Sequence, residues 1–306
     1  MYSSSRPTPI AASALVNSPE VFDRRPLLRP VLSTDSLTLL YGPRGVGKSF
    51  LALAMAWSVA AGGSFLRWHA PQPRRVLYLD GELANVDLRE RLAALGTPPA
   101  NLHLLSRSSF EGTLPRIDVE HDGRVFEPWI EAGWPSLLVV DSLSSVVGER
   151  EAITHWPTVR GWLLRMREMG IAVLLVHHAT RRGELRGPSH REDVFDTVLS
   201  LHRPPGYAQR EGLRVEIAFE KARGLVGADL DPFEARMTLD GGRTHWQWRE
   251  PGTTDLRQAV ALFRQGISAS EAAKRLGFSR SKAYRLRDEA ASKGLIQENA
   301  DGWTAE

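Results

Sequence analysis

Gly42-Pro43-Arg44-Gly45-Val46-Gly47-Lys48-Ser49 fits the spacing G-x-x-x-x-G-K-[ST]. Glycines so placed let backbone amides converge on an anion at a helix N-terminus, where the helix dipole also favours negative charge. The eight residues from Gly42 to Ser49 therefore read as a phosphate cradle for ATP. Lys48 would reach the β- and γ-phosphates, and Ser49 would ligate Mg²⁺. Three further positions end apolar runs in groups that can do chemistry. Leu137 to Val140 leads to Asp141, the expected metal-side carboxylate, whose alternative use is a cap made with Ser142 and Ser144. Val76 to Leu79 leads to Asp80-Gly81-Glu82. Ser142, not a glutamate, follows Asp141, so the water-activating base must lie elsewhere, and Glu82 is the available candidate unless it or Asp80 caps a helix starting near Asn85. Val173 to Val176 leads to His177-His178. His178 could meet the γ-phosphate, while strand alternation turns His177 to the other face.

These groups need a scaffold that delivers them to one edge. The apolar runs Leu37 to Tyr41, Val76 to Leu79, Leu137 to Val140, Ala172 to Val176 and Val198 to Leu201 are continuous, as strands covered on both faces of a parallel sheet are. Lys48 to Ala61, Ala84 to Leu95 and Trp156 to Met169 are long enough for crossover helices. Leu213 to Glu220, Arg236 to Leu239 and His245 to Trp248 read as later strands with a hairpin around Asp240-Gly241-Gly242. The fold class is therefore α/β with a mostly parallel sheet flanked by helices. Residues 1–30, punctuated by five prolines, read as a partly ordered arm ahead of a core at 31–250.

Pro251-Gly252-Thr253-Thr254 marks a break, after which 255–306 reads as a small helical module. Ser268 with Glu271 offers a capping box, and Gly277 permits a tight turn between two helices. The second of these presents Ser279, Arg280, Ser281, Lys282 and Arg285, residue types that meet DNA phosphates and base edges, or that simply solvate a basic face. Gly294-Leu295-Ile296 and Gly302-Trp303 could add a small wing.

Composition narrows the classes. The 306 residues are 42% hydrophobic and 25% charged, which excludes disordered and fibrous chains. There is no cysteine, so disulfides and thiolate chemistry are excluded. The longest apolar stretch, Leu51 to Ala61, is far too short to span a bilayer. No membrane partner is expected, and the cytoplasm is the expected location. A net charge of +3 leaves any polyanionic partner to be decided by local distribution.

In their order and context the motifs resemble the RecA-like P-loop ATPases of replicative helicases, the small plasmid-encoded RepA type and the DnaB type, over about Leu37 to Trp248. The tail resembles a helix-turn-helix or winged-helix domain. The resemblance implies Glu82 as water-activating base and His178 as γ-phosphate sensor. It implies that Lys221 and Arg223, in Phe219-Glu220-Lys221-Ala222-Arg223-Gly224, reach into a neighbouring subunit's nucleotide, and that a basic loop carrying Arg182 and Arg186 tracks single-stranded DNA. The expected protein is a hexameric, ATP-hydrolysing motor of plasmid or phage type, with single-stranded DNA through the ring and duplex on the tail. An ATP-switched DNA-binding regulator uses the same residues without unwinding, and a recombination-type filament ATPase uses the same core.

Overall fold

The computed structural model describes residues 9–17, 24–111, 114–119, 128, 135–147, 156–179, 189–204, 207–250, 253–292, 295–299 and 302–304. In chain order the core elements are α1 (Ala12–Val16), β1 (Pro26–Leu28), β2 (Leu32–Ser33), β3 (Leu37–Gly42), α2 (Lys48–Ala61), β4 (Gly63–Phe65), β5 (Trp68–Ala70), β6 (Val76–Asp80), α3 (Asn85–Leu95) and β7 (Leu102–Ser106). There follow β8 (Leu137–Asp141), α4 (Leu143–Val146), α5 (Trp156–Glu168), β9 (Ala172–His178), β10 (Thr197–His202), β11 (Leu213–Ala222), β12 (Phe233–Asp240) and β13 (Arg243–Arg249).

Nine strands form one sheet in the order β13-β12-β11-β10-β3-β9-β8-β6-β7. The six from β10 to β7 run parallel, and β11, β12 and β13 extend the β10 edge antiparallel. Every residue of β3, β6 and β8 is buried, which explains their unbroken apolar runs. One face packs α2, through residues such as Leu51, Met55 and Val59, onto Leu40, Val139 and Leu174. The opposite face packs α5, through Trp156, Val159, Leu163 and Met166, onto Leu39, Leu138 and Leu175. Each large apolar side chain so covered contributes on the order of 1.5–3 kcal/mol.

Register decides where the chemistry lands. Gly42 pairs with His178, and Asp80 pairs with Asp141 across parallel neighbours, so four strand ends deliver their polar residues to one edge. Between β3 and β6 lie β9 and β8, and the direction of winding reverses about β3, which is where open α/β sheets form a crevice.

Three details depart from the sequence expectation. Leu27 and Leu28 are fully buried in the core, so the part of the expected arm from Pro26 onward belongs to the folded unit. The hairpin of β4 and β5, which buries Phe65 and Trp68, is too short for periodicity to reveal, and β7, at the sheet edge and only partly buried, lacks the unbroken apolar run of the central strands because His103 interrupts it.

The C-terminal module contains α6 (Thr253–Phe263), α7 (Ala269–Leu276), α8 (Arg280–Ser292) and the antiparallel pair β14 (Gln297–Asn299) and β15 (Gly302–Thr304). Its core joins Ala259, Phe263, Ala272, Ala283, Leu286 and Ile296. Ser268 caps α7 by accepting from the Glu271 amide, and Gly277 ends it at φ 68°, in the left-handed region. Only half of the expected capping box forms, because the Glu271 carboxylate turns to Arg275 and Lys274. No helix among the described residues is long and apolar enough to cross a membrane.

Candidate functional site

The turn from β3 into α2 is shaped for an anion. Gly47 has φ 112°, and a Cβ there would lie 2.7 Å from Leu213 Cδ1, so both conformation and space demand glycine. No side chain caps α2, which leaves its first amides to an incoming ligand. Lys48 is buried, and its Nζ donates to the carbonyls of Gly42 at 2.9 Å and Pro43 at 2.8 Å. Burial lowers its pKa to about 8 against the opposing pull of Asp141 and Glu82.

Asp141 is 3% exposed. It accepts from the Tyr78 hydroxyl at 2.6 Å and from the Ser49 hydroxyl. Burial nevertheless raises its pKa to about 6, with Asp80 and Glu82 pushing the same way. A buried carboxylate beside a serine hydroxyl offers oxygen donors of the kind Mg²⁺ takes, so Ser49, with Asp141 behind it, would hold the ion.

Asp80 braces the turn after β6 by accepting from the amides of Glu82 at 2.9 Å and Leu83 at 2.8 Å. It therefore aims Glu82 and does not cap α3, whose N-cap, Ala84, has no side-chain bond. Glu82 Oε1 accepts from His178 Nε2 at 3.0 Å and from Ser142 Oγ. Those donors, His178 foremost, hold its pKa down to about 2 against the effect of burial. His177 lies buried on the far side of β9.

Lys48, Ser49, Glu82, Asp141 and His178 line one cleft of about 400 Å³. Gly45 and Gly47 also border it. Gly42, Pro43 and Val46 shape the turn behind, and Arg44 is exposed on it. Three residues that motif reading missed complete the site. Tyr78 orients Asp141, and Ser142 binds Glu82. Arg203 donates to the Gly45 carbonyl at 2.8 Å while stacking 4.1 Å from the Tyr207 ring. Tyr78 and Ser142 flank the very strand ends that carried the motif acids, but only strand pairing shows that they point inward.

Lys221 and Arg223 do not join this cleft. β11 runs antiparallel to β10, so its end lies about 30 Å from its start beside Gly47. There Lys221 Nζ donates to the Glu192 carbonyl and Arg223 to that of Asp193, both at 2.7 Å. Arg223 borders a second cleft of about 580 Å³ together with Arg24, Arg29 and Arg67. Arg182 and Arg186 lie outside the described residues.

On the tail, Ser279, Arg280, Ser281 and Arg285 are exposed. Ser279 Oγ accepts from the Lys282 amide and so caps α8. Lys282 departs from the expectation of an exposed DNA-facing cation. Its ammonium pairs with Asp255 at 2.7 Å, stands 4.0 Å from the Phe278 ring centre, and ties α8 to α6. A cation satisfied inside its own module is poorly placed for phosphate.

Residues 6–184 match the family model described as AAA domain, and residues 254–297 match that described as homeodomain-like domain. The DNA repair protein RadA of Mycolicibacterium smegmatis is 31% identical over 178 residues, 55% of this chain and 33% of that protein. RadA of Listeria monocytogenes is 26% identical over 216 residues, 67% of this chain and 42% of its own. The chain thus spans a third to two fifths of the length of these curated relatives. Among solved structures, a KaiC-like protein from Pyrococcus horikoshii superposes with TM-score 0.52 at 17% identity, over 72% of this chain and 93% of that one. The flagellar accessory protein FlaH of Methanocaldococcus jannaschii superposes with TM-score 0.50 at 11% identity, over 70% and 89%. Both likenesses are of fold.

Proposed function

Because the chain belongs to the AAA domain family, with a RecA-like ATPase core and a homeodomain-like helix-turn-helix module behind it, we propose that it is an ATP-hydrolysing motor acting on DNA, most simply a ring-forming helicase of plasmid or phage type. The observation that carries the ATPase reading is the convergence of Lys48, Ser49, Asp141, Glu82 and His178 on one cleft from four strand ends. On binding, the phosphates draw Lys48 Nζ from the carbonyls of Gly42 and Pro43, and the amides opening α2 take the β-phosphate. Ser49, with Asp141 behind it, would hold Mg²⁺, which would supply positive charge against the phosphates. Glu82 orients a water and takes its proton as the water oxygen bonds to the γ-phosphorus. The bond from that phosphorus to the bridging oxygen breaks, leaving ADP and phosphate. His178 reads the γ-phosphate from the end of β9.

Arg223 lies too far from its own cleft to serve it, which supports a role toward a neighbouring copy's nucleotide and hence a homo-oligomer, a hexamer in the favoured reading. The test is ATP turnover at several protein concentrations, with and without single-stranded or duplex DNA, for the natural chain, Glu82→Gln and Arg223→Ala. A motor gives stimulation by single strands, lost in both variants, and a rate per subunit that rises with protein concentration.

A second reading is favoured by the tail, whose exposed Ser279, Arg280, Ser281 and Arg285 suit duplex DNA, and by relatives named as DNA repair proteins. In it, ATP switches a DNA-binding regulator or recruitment protein that unwinds nothing. Slow turnover indifferent to single strands, with ATP-dependent duplex binding retained in Glu82→Gln, selects that reading over the motor.

A further inference from the structure

One stretch of chain, from the end of β10 to the start of β11, meets the phosphate loop at each of its three glycines. At Gly42 a Cβ would stand 2.6 Å from the Leu201 carbonyl oxygen, and at Gly47 a Cβ would stand 2.7 Å from Leu213 Cδ1. Between them Gly45, at φ 73°, offers its carbonyl to Arg203, whose Nη2 donates at 2.8 Å. The guanidinium is itself held firmly. Its Nη1 donates to the Arg214 carbonyl at 3.0 Å, and its carbon stands 4.1 Å from the centre of the Tyr207 ring. That ring is fixed in turn, because the Tyr207 hydroxyl donates to the Gly212 carbonyl at 2.9 Å. A planar fork stacked in this way is pre-organised, as an ammonium on a flexible stem is not.

A trans peptide carries its C=O and the following N–H on opposite sides, and the peptide from Gly45 to Val46 is trans. By drawing the Gly45 carbonyl toward itself, Arg203 turns the Val46 N–H the other way, into the loop, where it lies 3.4 Å from the Pro43 carbonyl oxygen. Gly45 does little to set that plane. Glycine accepts either sign of φ, and no atom beyond its chain neighbours lies within 4 Å of where a Cβ would be.

We propose that Arg203 is a positioning residue for nucleotide binding: acting through the Gly45 carbonyl, it holds the phosphate loop in the shape whose amides receive the β-phosphate. Its effect therefore falls on the phosphates and not on the base. The proposal rests on the reading of Gly42 to Ser49 as a phosphate cradle.

The test is calorimetric titration of the full chain with Mg-ATP and with inorganic pyrophosphate plus Mg²⁺, for the natural chain, Arg203→Gln, Arg203→Lys and Lys48→Ala. ATP turnover at saturation is a further reading. Pyrophosphate carries phosphates without base or ribose, so it reports on the loop alone. Loss of a charge-assisted hydrogen bond should raise the Kd of ATP and of pyrophosphate in Arg203→Gln by the same factor, about tenfold. Saturated turnover should fall less than affinity does, since the loop meets the phosphates alike before and during transfer. Arg203→Lys, which keeps the charge without the fork, should recover only part of the loss. Unchanged affinities in Arg203→Gln refute the brace. A weaker ATP site with unchanged pyrophosphate binding also refutes it, since Arg203 would then serve base or ribose, and full recovery in Arg203→Lys refutes it by leaving charge alone as the cause. If the natural chain binds neither ligand, or Lys48→Ala binds both as well as the natural chain does, the phosphate-cradle reading fails and the brace with it. Should Arg203→Gln not fold, Tyr207→Ala removes the ring beneath the guanidinium and should weaken both ligands by about threefold, and equal affinities there refute the proposal.

Discussion

Replacing Tyr78 by Phe removes one oxygen from a fully buried strand residue and leaves the packing of β6 unchanged. The lost group donates 2.6 Å to Asp141, whose carboxylate is 3% exposed and has a pKa raised to about 6 by burial. The phenol, buried beside that acid, has its own pKa pushed well above 10 and remains a donor throughout the working range. A hydrogen bond to a charged acceptor is worth roughly 1.5 kcal/mol or more, so its loss should lift the Asp141 pKa by about one pH unit, to near 7. Only the ionised carboxylate supports a cation at Ser49. Mg-ATP affinity of the natural chain should then weaken as pH falls through about 6, and that of Tyr78→Phe as pH falls through about 7. At pH 6.5 the variant should bind about threefold more weakly, from the ratio of ionised fractions, and the two should converge by pH 8. Isothermal titration calorimetry from pH 5.5 to 8 measures this. Curves that superimpose, or a loss of affinity independent of pH, would refute the role given to Tyr78. The sign for stability follows from the same shift. The folded chain keeps a proton on Asp141 that the unfolded chain has released, so the ligand-free fold should lose stability as pH rises from about 4 to 6, with the contribution fully present only below that window.

Four other outcomes are expected. Gly47→Ala should abolish nucleotide binding and cost about 1–3 kcal/mol in urea unfolding, because the position needs φ 112° and its Cβ would strike Leu213. Nucleotide binding at pH 8.5 should take up protons, since phosphate anions return to Lys48 the charge that burial weakens at a pKa of about 8; calorimetry in buffers of different ionisation enthalpy would read zero uptake if Lys48 were ordinary. Glu234 is buried and bridges Arg214 at 2.9 Å and Arg249 at 2.6 Å, so Glu234→Gln should destabilise by about 3 kcal/mol in a denaturant melt, and a change under 1 kcal/mol would mean the arginines find water instead. Arg280→Ala and Arg285→Ala should each weaken duplex binding and lower the slope of log affinity against log salt by about 0.9, whereas Lys282→Ala should lower the melting temperature and leave that slope unchanged.

Much of the fold and of the site is legible in the residues, because the relevant signals are local. Buried parallel strands need unbroken apolar runs, and those from Leu37, Val76, Leu137, Ala172 and Val198 all became strands of the sheet. The span read for α2, Lys48 to Ala61, is the span observed, since Gly47 starts it and Gly62-Gly63 stops it. The phosphate loop announces itself through glycine spacing, and the tail through Ser268 and Gly277.

What stayed hidden depends on pairing between residues far apart in the chain. Spacing does not tell that Tyr78 meets Asp141, that Arg203 reaches the Gly45 carbonyl, or that a serine after β8 would take hold of Glu82, because strand order and register bring these together. A Lys-x-Arg pair looks the same wherever its strand points, and only the antiparallel course of β11 carries Lys221 and Arg223 away from the cleft at its other end. Arg280 and Lys282 are both cations opening one helix, yet one faces solvent and the other is neutralised by Asp255, since α6 packs against only one side of α8. Sequence alone determined which residues could do the chemistry, through propensity and spacing that act over a few residues. Tertiary structure decided which atoms meet, through long-range packing that no local pattern encodes.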